Sequence, residues 1–496
     1  MDTDPPVDKL PQIPISDRDW RRTPLAVQAL VISLWQRVEH LEQVVEQQAA
    51  RITALEQELA RRRGRSRGGA QSASSASGGP SVTPSHRPAS SGRLPGGQPG
   101  HVGHGRSLLP AEQVDAVVPL KPEHCRHCGH PLHGDDPHPL RHQVVEVPPV
   151  RAQVTEYQRH TLRCPHCGTL TEAECPPGVP RGAFGPRLQA WIGLLSGAYR
   201  LSHRNITTLL GDAFGVHLAV GSISAQEQQV SAAVAAPVAE AWDHVQRQAA
   251  VNLDETGWHE ARARAWLWTA AAAGVTVFAI RRHRRREVIG ELLGPHCTAI
   301  VGSDRYSAYG HLPVARRQLC WAHVRRTFEE FVARGGEAAG VGQRLLAHAD
   351  LLFTWWHRVR DGTLQRSSFQ TYVSDLRARV RFELWYGEQL ADAQTAATCA
   401  NLRAIEPALW TFVRQPGVEP TNNQAERALR HGVVWRHTSF GTHSPAGSRF
   451  VERLLTVHES LRQQGRRVLE YLTCACQAAL RQEPPPSLLP TAPTAR

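Results

Sequence analysis

The chain has 496 residues, with 57 Lys and Arg against 45 Asp and Glu, a formal net charge of +12. That length allows about three or four domains, and the basic excess favours a polyanionic partner, nucleic acid before an anionic membrane. Residues 1–16 hold no apolar stretch of signal-peptide type, and the most apolar run, 265–280, falls short of the ~20 residues of a spanning helix, so neither export nor membrane insertion is expected.

Residues 1–24 read as a disordered tail. A heptad seam fills 25–62, with Val31, Val38, Val45, Ile52 and Leu59 at a and Leu34, Leu41, Gln48 and Leu55 at d. Mostly β-branched a positions with Leu at d favour a parallel two-stranded coiled coil, hence a homodimer or higher homo-oligomer. An amphipathic helix packed on its own domain is the alternative. Residues 63–110, a Gly/Ser/Arg/Pro mixture, cannot bury a core and read as a flexible linker.

Residues 111–185 contain Cys125-x-x-Cys128 and Cys164-x-x-Cys167, each pair followed by glycine. Four thiolates satisfy one closed tetrahedral Zn²⁺, and the glycine permits the tight turn behind each pair. Without export, metal binding gains weight over disulfides. The neighbouring His124, His127, His130 and His166 could substitute as ligands, though two complete pairs need none. The stretch between the pairs, HQVVEVPPVRAQVTEYQRHTLRC, alternates in strand fashion. Residues 186–247 read as helical; NITTLLGDAF, GVHLA and VGSISAQEQQVSAAV give helix, turn, helix, the outline of a DNA-binding helix-turn-helix and equally of any αα-hairpin.

Over 248–334 the pattern is three strands (AVNLDETGW, ARAWLWTAAAA, VTVFAIRRH), a helix (REVIGELLG), a strand (CTAIVGSDRYSAY) and a further short strand in RRQLCWAHV, which makes a mixed α/β sheet. RRHRRR, 281–286, reads as a solvated basic turn able to touch a nucleic-acid backbone. Residues 335–418 read as a helical insertion, 419–482 as helices completing the core, and 483–496 as a disordered tail.

Asp254 and Glu255 adjoin on a predicted strand, where successive side chains face opposite ways, so both cannot aim at one ion. Asp254 shares a face with Asn252, and Leu253 shares the other with Val251; which face is buried stays open. Asp304 ends a β-branched run. Taken singly, each acid reads equally well as a strand-end or turn residue. Glu426, in PTNNQAERALR, is either the N3 member of a capping box starting at Asn423 or a metal ligand. Three carboxylates from this set could hold two Mg²⁺ ions, hard cations that take oxygen ligands. Cys320-Trp-Ala-His323 has metal-ligand spacing but shows only two ligands, and reads as a packed cysteine and a helix-start histidine.

In order and wording, LDETGW, GSDRYSAY, CWAHVRRTF, PTNNQAERALR and RHTSFGTHSPAG, with GGQPGHVGHGR and the paired knuckles, resemble bacterial DDE transposases of the insertion sequence 66 family. The resemblance spans about residues 25–482. It implies an RNase H-like catalytic core interrupted by a helical insertion. It implies a catalytic triad of Asp254, Asp304 and Glu426 holding two Mg²⁺ or Mn²⁺ ions, beside one structural Zn²⁺ on Cys125, Cys128, Cys164 and Cys167. The implied substrate is double-stranded DNA, both element ends and target. The implied activity is metal-dependent cleavage at the element's 3′ end, followed by strand transfer. Arg325, Arg326, Arg427, Arg430 and Arg436 are the candidate DNA contacts, and His437 stands where the family usually carries lysine. Accessory proteins from the same element and a bacterial cytoplasmic, nucleoid-associated location complete the expectation. The alternatives are a non-catalytic zinc/helix-turn-helix DNA-binding protein with a decayed core, and a metal-dependent nuclease without strand transfer.

Overall fold

The computed structural model describes residues 16–24, 27, 28, 30–34, 38, 43, 47 and 107–490. The chain divides into two compact units, residues 1–141 and 142–496. In the first, the described positions from 27 to 47 are helical and carry Val31 half-buried and Leu34 and Val38 exposed; the rest of the heptad seam and linker residues 63–106 lie outside the described residues. The first cysteine pair forms a tight knuckle. Cys125 N donates to His130 O at 2.9 Å, Gly129 N donates to Cys125 O at 2.9 Å, and Gly129 sits at φ +71°, left-handed backbone that favours glycine.

The second unit opens with the same turn. Cys164 N donates to Thr169 O at 2.8 Å and Gly168 N to Cys164 O at 2.9 Å, with Gly168 at φ +72°. This knuckle is closed by two short antiparallel strands, β1 (Thr161–Arg163) and β2 (Leu170–Glu172). The alternating stretch before it is strand only over those three residues. Pro148 and Pro149 lack the N–H groups a ladder requires, and the alternation buries neither face.

Four helices follow: α1 (Pro186–Gly197), α2 (His203–Phe214), α3 (Val220–Ala233) and α4 (Ala235–Gln246). Ser202 Oγ caps α2 by accepting from Asn205 N. Gly215, at φ +67°, ends that helix. Residues 215–219 then turn the chain into α3. Ile192, Leu195, Ile206, Leu210 and Ile223 close a small core among α1, α2 and α3.

The sheet has five strands in the order β5-β4-β3-β6-β7. β3 (Ala250–Glu260), β4 (Ala263–Ala272) and β5 (Val275–Arg281) form an antiparallel meander. Helix α5 (Arg286–Leu293) leads to β6 (Ile300–Ser303), parallel to β3, and β7 (Arg317–Leu319), parallel to β6. β5 and most of β4 are buried along their length, which is why they read as continuous apolar runs rather than alternating ones.

Helices α6 (Trp321–Arg334), α7 (Gly336–Arg360), α8 (Arg366–Glu388) and α9 (Ala393–Ala404) build a second core around Phe328, Phe331, Trp356, Phe369 and Phe412. The chain then returns to the sheet through α10 (Asn423–Ser439), which packs on β3 and β4, and α11 (Pro445–Gln463), which packs on β5, before α12 (Val468–Arg481). The expected tail departs from expectation over 483–490. Leu488 is fully buried, its carbonyl accepts from Gln464 Nε2 at 2.9 Å, and Tyr471 Oη donates to Pro486 O at 2.8 Å. The prolines suppress helix, and the leucines find a groove.

The loop after α10 is zipped to the end of β3. Thr442 N donates to His259 O and Ala261 N to Thr442 O, both at 2.9 Å. Gly441, at φ +122°, lies so close that a Cβ there would stand 2.1 Å from His259 O. The obstacle is backbone and cannot rotate away. Gly441→Ala is therefore expected to cost about 2–3 kcal/mol of stability. Gly447→Ala, where a Cβ meets only ordinary contacts from 3.5 Å, is the control; equal melting temperatures for the two variants would refute the clash.

Candidate active site

Asp254 lies on β3 two residues beyond the last residue pair with β6, Asn252–Gly302. Parallel strands separate there, and Asp304, the first residue after β6, follows from the neighbouring strand. The face question is resolved by burial: Val251 and Leu253 enter the core at 2% and 0% exposure, so Asn252 and Asp254 occupy the other face, against which α10 begins. Fully buried Asn422 donates from Nδ2 to Leu253 O at 3.3 Å, and Asn252 Nδ2 donates to Gln424 Oε1 at 3.5 Å. These amides tie the first turn of α10, with Glu426, to the strand that bears Asp254.

Glu426 makes no capping box. The N-cap is Asn422, without a side-chain cap hydrogen bond, which puts Glu426 one position past N3. Its Oε1 instead lies 3.9 Å from Cys320 Sγ and 3.5 Å from His323 Nδ1. Cys320 in turn follows β7: its N donates to Ser303 O at 2.9 Å, next to Asp304 in the chain. Hydrogen bonds from Asn422 and Cys320 thus link the segments that carry Asp254, Asp304 and Glu426 at the ends of β3 and β6 and the start of α10.

Their electrostatics separate Asp254 from its neighbour. Burial first, then the charges of Glu255, Glu426 and Asp304, push the Asp254 carboxyl up to about 8, against one hydrogen bond from Glu255 N. No Lys or Arg lies within ion-pair distance of Asp254 or Asp304 among the described residues. Glu255, on the opposite face, is a closed structural acid. Tyr309 Oη donates to its Oε2 at 2.6 Å and Arg284 Nε to its Oε1 at 2.6 Å. Burial raises Glu255, and these two partners pull it back.

An unneutralised buried acid has a thermodynamic signature. Folded Asp254 keeps its proton up to about pH 8, whereas the unfolded chain loses it near pH 3.9. The contribution is therefore present below about pH 4 and is lost as pH rises to 8. In magnesium-free buffer at pH 8, Asp254→Asn is expected to melt higher than wild type, with the gap closing toward pH 4. Identical melting at both pH values would contradict this.

Comparison with known families places the chain. The family model described as "Transposase IS66 family" matches residues 181–449, more than half of the 496. The chain belongs to this family of insertion sequence 66 transposases. A second match, to the zinc-finger binding domain of transposase IS66, covers residues 122–168 and so includes both cysteine pairs. No curated protein matches the chain significantly. The zinc-finger domain of this family member carries thiols suited to metal: hydrogen bonds from Thr169 lower Cys167 to about 7, and the N–H groups of Cys128 and His127 lower Cys125. Among the described residues no helix is long and apolar enough to cross a membrane.

The arginines assigned to DNA divide into groups. Arg326, Arg427 and Arg430 are exposed, and Glu426 pairs with His323 rather than Arg430. Arg325 is engaged by Asp350 at 2.5 Å. Arg436 donates from Nη1 to Thr256 Oγ1 at 3.0 Å and Gly257 O at 2.9 Å, so it braces β3. The run 281–286 is in part a solvated basic turn, with Arg282, His283, Arg285 and Arg286 exposed, but several of its cations are engaged: Arg281 pairs with Glu291 and Glu452, Arg282 with Glu260, and Arg284 with Glu255. Sequence spacing gives no sign of these partners, which lie up to 171 residues away. The Glu255–Arg284–Tyr309 brace was likewise missed; only the adjacency of Glu255 to Asp254 hinted at it.

Proposed function

We propose that the chain is a DDE transposase whose Asp254, Asp304 and Glu426 hold the divalent ions for cutting and joining DNA. The observation that carries this is Asp254: a carboxyl whose proton affinity is raised first by burial and Glu255, then by Glu426 and Asp304, with no cationic side chain in ion-pair reach among the described residues. Such a set suits hard divalent cations, Mg²⁺ or Mn²⁺. Bound ions would supply Lewis-acid polarisation of the scissile phosphodiester and of the attacking oxygen. The strand order and the helical block between Asp304 and Glu426 support an RNase H-like core with an insertion.

In the reaction, water breaks one phosphodiester and frees a 3′-hydroxyl. That hydroxyl attacks a target phosphodiester in line, forming one P–O bond as another breaks. No protein nucleophile is required, and the tyrosines nearest the site are committed elsewhere. Tyr309 Oη donates to Glu255 and Tyr306 Oη to Arg284 O at 2.8 Å. Exposed Arg326, Arg427 and Arg430 are suited to phosphate. The zinc on Cys125, Cys128, Cys164 and Cys167 serves structure, α2 and α3 serve DNA binding, and the heptads serve self-association.

The test uses a labelled element end, a supercoiled target plasmid and Mg²⁺ or Mn²⁺. A joined product is expected. Cleavage without joining would identify a nuclease instead, and binding without cleavage a DNA-binding protein with a decayed core.

A further inference from the structure

Cys320 and His323 showed two ligands of a metal site in the sequence; the fold supplies a third. The Sγ of Cys320, a nitrogen of His323 and an oxygen of Glu426 all lie within 4.8 Å of one another. A tetrahedral zinc, with bonds of about 2.3 Å to sulfur and about 2.0–2.1 Å to nitrogen and oxygen, spaces its ligand atoms about 3.3–3.6 Å apart. The observed separations from Glu426 Oε1, 3.9 Å to sulfur and 3.5 Å to nitrogen, need only a small contraction.

The donor atoms are also available. His323 Nδ1 is buried and makes no hydrogen bond, although Glu426 Oε1 stands 3.5 Å away, a state that costs free energy unless something binds it. Cys320 is 1% exposed and stands at the N-cap of α6, a 14-residue helix; burial raises its thiol, against hydrogen bonds from the N–H groups of Asn422 and His323, so a thiolate here needs a bound cation to hold it. Asn422 N donates to its sulfur at 3.4 Å. The other histidine–glutamate cluster, His431–His458–Glu459, already has cations on it: Arg200 Nη1 bonds His431 Nδ1 at 2.8 Å and Arg462 pairs with Glu459 at 2.7 Å. No arginine or lysine touches the Cys320 cluster in this way among the described residues.

We propose that Cys320, His323 and Glu426 form a second zinc site, distinct from the cysteine knuckles, that takes a thiophilic divalent cation in a sulfur, nitrogen and oxygen ligand set. One position of the tetrahedron stays open for water. Because Glu426 belongs to both sets, zinc here competes with the hard ions for that carboxylate. The competition rests on the functional reading above; the zinc binding does not.

The test is zinc per chain, measured on the reduced full-length protein after dialysis against Zn²⁺ in magnesium buffer. Wild type is expected to hold two zinc ions. Cys320→Ser and His323→Ala should each hold one, as should the knuckle variant Cys128→Ser/Cys167→Ser. In that knuckle variant, Co²⁺ should give a thiolate charge-transfer band that adding Cys320→Ser removes. One zinc in wild type, or two in both Cys320→Ser and His323→Ala, would overturn the site. His323 is partly exposed, so its alanine variant decides the matter if Cys320→Ser fails to fold. Zinc counting needs neither DNA nor activity, so a chain that does not cleave still reports on this site. Loss of cleavage by added zinc in wild type, at unchanged DNA binding, reads the competition separately.

Discussion

Asp254→Asn and Glu426→Gln are each expected to lower strand cleavage by roughly a thousandfold or more, while binding of an element end in metal-free buffer is retained. The magnitude follows from removing an anionic ligand from an ion that stabilises the transition state by several kcal/mol, at 1.36 kcal/mol per factor of ten. Both substitutions keep volume and remove charge. The local hydrogen bonds survive, since the amide oxygen introduced by Asp254→Asn can still accept from Glu255 N as the Asp254 carboxylate does. Glu255→Gln supplies the contrast: adjacent in sequence, it faces Tyr309 and Arg284, and its loss of rate should be far smaller. Equal losses for positions 254 and 255 would place the chemistry on the wrong carboxylate.

The largest stability effect is expected at Arg284. Glu255 has a side-chain exposure of 2% beside an Arg284 exposed at 35%, and the guanidinium also stacks 3.6 Å from the Tyr306 ring centre. Arg284→Ala leaves a buried carboxylate with Tyr309 as its only side-chain donor among the described residues. Breaking one partner out of such a pair costs about 3 kcal/mol, a fall in melting temperature of about 6 °C or more for a domain of this size. The double variant Glu255→Gln/Arg284→Ala should recover most of it, because the neutral amide no longer needs the cation. A single-variant cost under ~1 kcal/mol would mean that Tyr309 alone suffices.

What could be read in advance divides along physical lines. The meander, the crossover helix and the strand before Asp304 were legible because each carries a local signal: apolar runs with Gly274 at one turn, Gly294 at the end of the helix, and the β-branched Ile300 and Val301. The knuckles were legible because two thiols and a glycine leave one economical geometry. The identity of the site face was not, since Asn252 and Asp254 alternate with Val251 and Leu253 and only the arrival of α10 decides between them. The role of Cys320 and His323 was hidden for the same reason: their third partner is 106 residues away. The basic run was only half legible: Arg282, His283, Arg285 and Arg286 are exposed as charge density predicts, whereas Arg281, Arg282 and Arg284 also reach buried or half-buried acids on β3 and α11. The tail misled because proline content predicts disorder, yet Leu488 and Leu489 pack against the core.

The capping-box reading of Glu426 shows how a local rule loses to tertiary placement. Asn422 uses its side chain on the backbone of Leu253, which leaves no cap for the glutamate to complete and turns its carboxylate toward Cys320 and His323. Its charge still reaches Asp254, whose proton affinity it raises after burial and Glu255.

Anomalous scattering from Mn²⁺ bound to the full-length chain tests the central assignment most directly. Manganese coordinated jointly by Asp254, Asp304 and Glu426 is the expected result; manganese that leaves Asp254 and Asp304 unligated, at concentrations that support DNA cleavage, would contradict it.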